Sequence, residues 1–125
     1  MSQRDIVLIT GVTGSIGSWM ARTLLESGRS VVALTRADTP RAARARVLEA
    51  LRVVGAGDWG SDVAVVPGDV CDDRVTEAAA RSCRNVSCIV HCAGALEFRE
   101  EFAELDQRVN VQGTANLLRL AEMLH

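Results

Sequence analysis

One short stretch constrains this chain more than any other. Residues 10–17 read Thr10-Gly11-Val12-Thr13-Gly14-Ser15-Ile16-Gly17 and follow the apolar run Ile6-Val7-Leu8-Ile9 directly. Glycines at this spacing, between a buried strand and the start of a helix, let a backbone turn come up against a phosphate. Gly11 allows a tight turn off the strand. Gly14 leaves no Cβ where a pyrophosphate would approach, and Gly17 lets the helix pack close to the sheet. The helix start adds free N–H groups and the positive end of the helix dipole. Thr10, Thr13, Ser15 and Ile16 complete the candidate loop. A Gly-Lys-Ser/Thr phosphate loop is excluded, because all fourteen basic residues are arginine.

The rest of the chain alternates short apolar runs with helical periodicity. Ile6 to Thr10 predicts a strand buried on both faces, which implies a parallel sheet. The spacing of Ile16, Met20, Leu24 and Leu25 predicts a helix over 15–27, stopped by Gly28. Strands follow at 31–35, 63–66 and 87–91. Between them lie a helix over 41–54, with Pro40 in its first turn, and another capped by Asp72 or Asp73 and running to about Ser82. Gly55 and Gly57 close the first of these, and Pro67-Gly68 ends the third strand. A last, long helix runs from Phe98 or Glu100 toward the C-terminus. The order β-α-β-α-β-α-β-α gives an α/β fold with a doubly wound parallel sheet, Rossmann-like, as one domain over 1–125. Ligands of such sheets bind beyond the carboxyl ends of the strands.

Composition removes several classes of function. A net charge of −2 provides no basic field for nucleic acid or an anionic membrane. The longest apolar runs fall far short of the ~20 residues that span a bilayer. Residues 1–5 lack the pattern of a signal peptide, so a cytoplasmic location is expected. The four cysteines form no Cys-x-x-Cys pair and are read as reduced thiols. Cys88, His91 and Cys92 are not expected to form a metal site, because a strand turns 88 and 92 to one face and 91 to the other.

The spacing Gly-x-x-Gly-x-x-Gly preceded by threonine resembles the extended short-chain dehydrogenase/reductase family. Three further segments agree with it. Gly68-Asp69-Val70 looks like that family's adenine contact. His91-Cys92-Ala93-Gly94 looks like its nicotinamide-side segment, and Asn110-Val111-Gln112-Gly113-Thr114 like part of its fourth long helix. The resemblance implies a dinucleotide cofactor, with Asp69, Val70, Cys92, Ala93, Gly94 and Asn110 beside it.

After the second strand, Leu34-Thr35-Arg36 replaces the acidic residue that holds the ribose 2′-OH of NAD. A guanidinium pairs well with a 2′-phosphate, which favours NADP(H) over NAD(H). Asp38 stays open as a displaced 2′-OH ligand. Arg41, Arg44 and Arg46 lie on the next helix, and Arg46 is placed with Arg36 at the cofactor.

Within the family, Leu34-Thr35-Arg36-Ala37, Ala45-Arg46 and Val65-Val66-Pro67-Gly68-Asp69-Val70 look most like the thioester reductases, which reduce a carrier- or CoA-bound thioester. Glu97-Phe98 with Phe102, Leu105 and Asn110 fits their next helix. An acyl carrier protein or acyl-CoA is the implied partner, through a part lying beyond this chain. Sugar-nucleotide epimerases and dehydratases share the same first half, and a non-catalytic dinucleotide-binding module is the other alternative.

The family's acid/base chemistry uses Tyr-x-x-x-Lys, and this chain contains neither residue. No catalytic residue is therefore assigned; His91 and Cys92 are read as structural. The expectation is the cofactor-binding N-terminal half of a larger reductase. Cut after four strands, it would expose a sheet edge and helix face, with Phe102, Leu105, Val109, Leu117, Leu120 and Leu124 in want of a cover. Alone it would be inactive and prone to self-association.

Overall fold

The computed structural model describes residues 5–94 and 99–124. Four strands, β1 (Ile6–Thr10), β2 (Ser30–Thr35), β3 (Val63–Pro67) and β4 (Val86–His91), form one parallel sheet in the order β3-β2-β1-β4. The α-helices among the described residues are α1 (Ser15–Glu26), α2 (Pro40–Val53), α3 (Val75–Ser82), α4 (Ala103–Asp106) and α5 (Gly113–Met123). Strand residues alternate between two cores because successive side chains point to opposite faces. Val7, Ile9, Val31 and Ala33 pack with Ala21 and Leu25 of α1 and Val47 and Leu51 of α2. Leu8, Val32 and Leu34 pack with Val75 and Ala79 of α3 and Leu117 and Leu120 of α5. Apolar residues on both faces of β1 and β2 are thus explained by helices on both faces of the sheet.

The register sets the site. Thr10 stands beside Leu34 of β2 on one side and His91 of β4 on the other. Between Ile6 and Val7 the pairing with β4 slips from Val86 to Cys88, so Ser87 is left as a bulge. The chain winds outward from β1 through β2 to β3, then returns to place β4 on the opposite side of β1. The crevice between β1 and β4 is the topological switch point, where such sheets bind ligands. No helix among the described residues is long and apolar enough to cross a membrane.

Most expected boundaries fall within a residue or two of those found, and three differ for physical reasons. Neither Asp72 nor Asp73 caps α3. Asp72 Oδ1 accepts the Arg74 backbone N–H at 2.9 Å, a local turn that delays the helix to Val75. A 3-10 turn over Gly57–Asp62 precedes β3, where Arg44 donates to the carbonyls of Gly60 and Val63 at 3.1 and 2.9 Å. The long last helix is not continuous. It comprises a 3-10 turn at Glu100–Phe102, then α4, a π-helical stretch over Gln107–Gln112, and α5. The wide stretch ends at Gly113, where a Cβ would lie 2.9 Å from Val70 Cγ2. The expected start at Phe98, and Glu97 with it, lie outside the described residues.

Candidate cofactor site

The glycine loop is built by backbone contact. Gly11 has φ +77°, a conformation that side chains with a Cβ rarely adopt, and a Cβ there would lie 2.6 Å from Ala93 N. A Cβ on Gly17 would lie 1.9 Å from the Gly11 carbonyl oxygen. Gly17 therefore admits the helix to its own loop, a closer approach than the helix-to-sheet packing expected. Gly14 differs from both. Its Cβ position meets only the Gly11 oxygen, at an ordinary 3.4 Å, and the residue is exposed. Nothing in the fold itself demands glycine there, so its bare backbone is available to a ligand. Val12 anchors the loop, buried at 1% exposure, while Thr13, Ser15 and Ile16 are exposed.

Gly14 occupies the N-cap of α1, no side chain caps the helix, and its first turn holds no acidic residue. The first-turn N–H groups and the positive dipole end thus face the space above the loop without a protein anion.

Thr10, fully buried, joins this loop to β4. Its Oγ1 accepts the backbone N–H groups of Cys92 and Ala93, both at 3.1 Å, and lies 2.5 Å from His91 Nδ1. The Cys92 N–H also reaches the Thr10 carbonyl at 3.1 Å. Burial pushes the His91 imidazole below the ordinary histidine pKa. Cys92 and Ala93 are half-buried, and Gly94 is exposed.

At the other side of the crevice, Arg36 follows β2 and is exposed, with no acid at the end of that strand. The Arg46 guanidinium donates to the Arg36 carbonyl, so α2 braces this corner. Arg44 is turned to the start of β3, away from the cofactor role considered for its helix. Asp69, after β3, is held in a turn, with Oδ1 accepting the Cys71 N–H at 2.9 Å. Burial, then the neighbouring Asp69, pushes the Cys71 thiol up, while the charges of Arg108 and Arg36 pull it down. The two guanidinium charges therefore act on the same corner as Asp69.

The last helical segments close the crevice from above. Asn110, in the π-helical stretch, puts Oδ1 where a Cβ on Gly94 would be 3.2 Å away. A second asparagine was not singled out by the motifs. Asn116 is fully buried, donates Nδ2 to the Val70 carbonyl at 2.7 Å and accepts Gln112 Nε2 at 3.1 Å. Its signal in the sequence is a polar residue within the apolar stripe of Gly113, Leu117 and Leu120. The predicted site residues thus stand along the carboxyl edge of the sheet, after β1, β2, β3 and β4, with the start of α1 and the π-helical stretch beside them.

A family model described as male sterility protein, of NAD-binding type, matches residues 9–125. The isonitrile lipopeptide synthase of Streptomyces coeruleorubidus is 34% identical over 124 residues, which is 94% of this chain and 8% of that protein. The terminal R domain of the myxalamid PKS-NRPS pathway superimposes with a TM-score of 0.80 at 21% identity. That superposition covers 96% of this chain and 32% of the domain's, and it shows the fold alone. The Bordetella bronchiseptica enzyme WbmG, solved with NAD, gives a TM-score of 0.71 at 28% identity over 98% of this chain and 35% of its own. The chain thus spans a third or less of the first two proteins.

Proposed function

Because the chain belongs to the NAD-binding family of the male sterility proteins, we propose that it holds NADP(H) for a reductase acting on a carrier- or CoA-bound thioester. When bound, the dinucleotide supplies a hydride from its nicotinamide ring. The chain's own residues bind and orient it. The exposed backbone of Gly14 and the uncapped start of α1 take the pyrophosphate. Arg36, braced by Arg46, pairs with the 2′-phosphate. Asp69 and Val70 border the adenine side, and Cys92, Ala93 and Gly94 border the nicotinamide side.

One observation carries this reading: an uncapped helix start and a bare Gly14 stand at the same carboxyl edge of the sheet as an arginine directly after β2, where an NAD-type site has an acid. The likeness to a lipopeptide synthase and to a terminal R domain supports the thioester as substrate class. With no tyrosine or lysine in the chain, the reading expects binding by this segment without turnover.

Titration with NADPH and NADH, followed by energy transfer from Trp19 and Trp59, tests it. NADPH should bind more tightly. Arg36→Ala should weaken NADPH about tenfold or more, the worth of a charge-assisted phosphate contact, and leave NADH unchanged. Equal affinity for the two cofactors in the unaltered chain would overturn the assignment of NADP(H).

A further inference from the structure

We propose that His91 is a positioning residue for the glycine loop, acting through Thr10 and only as the neutral Nε2–H tautomer. A hydroxyl has one proton to give and two lone pairs to accept with. Thr10 Oγ1 already accepts from Cys92 N–H and Ala93 N–H. Its proton is left for His91 Nδ1, at 2.5 Å. A proton on Nδ1 would instead present Oγ1 with three N–H donors for two lone pairs. The ring's own proton therefore sits on Nε2, which is buried and finds no hydrogen-bond partner among the described residues.

This chain of bonds has a mechanical result. Gly11, the first residue of the loop, rests its backbone on Cys92 and Ala93, closer than any Cβ would allow. Thr10 supplies the polar bonds that hold this seat, and His91 orients its hydroxyl. Protonating His91 places N–H groups on both ring nitrogens. Thr10 Oγ1 must then release at least one of its bonds; the Cys92 N–H keeps the Thr10 carbonyl at 3.1 Å, and the loop's seat on the end of β4 is loosened.

The surroundings favour the neutral ring. His91 shares a cavity of about 260 Å³ between β4 and α5 with Ser87, Cys88, Thr114, Leu117 and Leu118 among others. Among the described residues lining that cavity, Cys88 is the only other titratable one. On the β1 side stands the uncharged Thr10. Burial accordingly depresses the imidazole pKa.

Two arms test the latch. The first rests on nothing but the fold. The chain has two histidines, His91 and His125, so nitrogen-15 spectra of the rings are simple to assign, with His125→Gln as the marker. His91 should carry its proton on Nε2 at pH 7.5 and titrate below the ordinary histidine value of 6.5. As it titrates, the backbone amide signals of Cys92 and Ala93 should shift. His91→Asn, whose Oδ1 accepts the Thr10 proton without titrating, should hold those amides fixed over the same pH range. Thr10→Ser should keep the coupling and Thr10→Val should abolish it, which covers the case of a poorly folding His91 variant. A ring protonated on Nδ1 at pH 7.5, or amide shifts unchanged by His91→Asn, would overturn the proposal.

The second arm rests on the cofactor reading. NADP⁺ affinity should fall on acidification more steeply in the unaltered chain than in His91→Asn, by up to about tenfold for one lost hydrogen bond. Parallel profiles would overturn the link to the loop. Absence of any binding at pH 7.5 would sink the cofactor reading and leave the first arm to decide the latch.

Discussion

The three loop glycines share a motif but not a reason. A Cβ on Gly17 would overlap the Gly11 carbonyl at 1.9 Å, and both atoms belong to backbone that the sheet and helix pin in place. Gly17→Ala should therefore destabilise the chain by at least about 2 kcal/mol in urea unfolding followed by circular dichroism. Gly14 meets its nearest atom at 3.4 Å with negative φ. Gly14→Ala should keep stability within about 1 kcal/mol while weakening dinucleotide binding in the fluorescence titration. The opposite pattern, with Gly14→Ala unfolding the chain, would remove the distinction. Spacing alone made all three glycines legible as a motif. It did not say which of them serve the fold, because that depends on where Ala93 and the Gly11 carbonyl lie in space. Thr10 was legible as part of the loop, but its bonds to His91, Cys92 and Ala93 join residues more than eighty positions apart.

At the scale of elements, the strands were the most legible part. β1 and β2 are continuous apolar runs, and only a helix-covered parallel sheet buries such runs on both faces. The last helix was the least legible. Gln107–Gln112 adopts a π-helical turn, and no periodicity announces it, since one widened turn shifts the apolar stripe without erasing it. Beyond it α5 presents a sharp division. Leu120 is 1% exposed against Leu8 and Val32, whereas Leu118 is 65% exposed. Leu120→Ala should cost about 2–5 kcal/mol, and Leu118→Ala should fall within about 0.5 kcal/mol in the same denaturation series. Equal costs would mean that α5 packs with a different face toward the sheet.

For the whole molecule, the buried titratable groups and the open sheet edge make the strongest demands. His91 has its pKa lowered by burial, so the unfolded chain takes up its proton first as pH falls through 6.5. Its contribution is complete above that value and declines below it. The Cys83 and Cys71 thiols are raised by burial. The unfolded chain loses their protons first, and stability declines above about 9. Thermal melting across pH should therefore show a plateau between these limits, with the acid shoulder absent in His91→Asn. The sheet edge poses a different problem. β4 pairs only with β1 among the described residues, and its outer side leaves Ser87 and Cys88 exposed. Beside it α5 exposes Leu118 and Met123, and the groove between them is largely apolar. Unpaired strand N–H and C=O groups next to an apolar groove are a template for another chain. The segment should therefore self-associate as its concentration rises, and sedimentation velocity should show the shift. Charge placed on the edge opposes pairing, because burying an unpaired ion costs more than a strand contact returns. Cys88→Lys with Leu118→Glu should return the chain to a monomer without loss of helix or strand signal. An unaltered chain that stays monomeric at high concentration would show that β4 and α5 are protected by their own side chains.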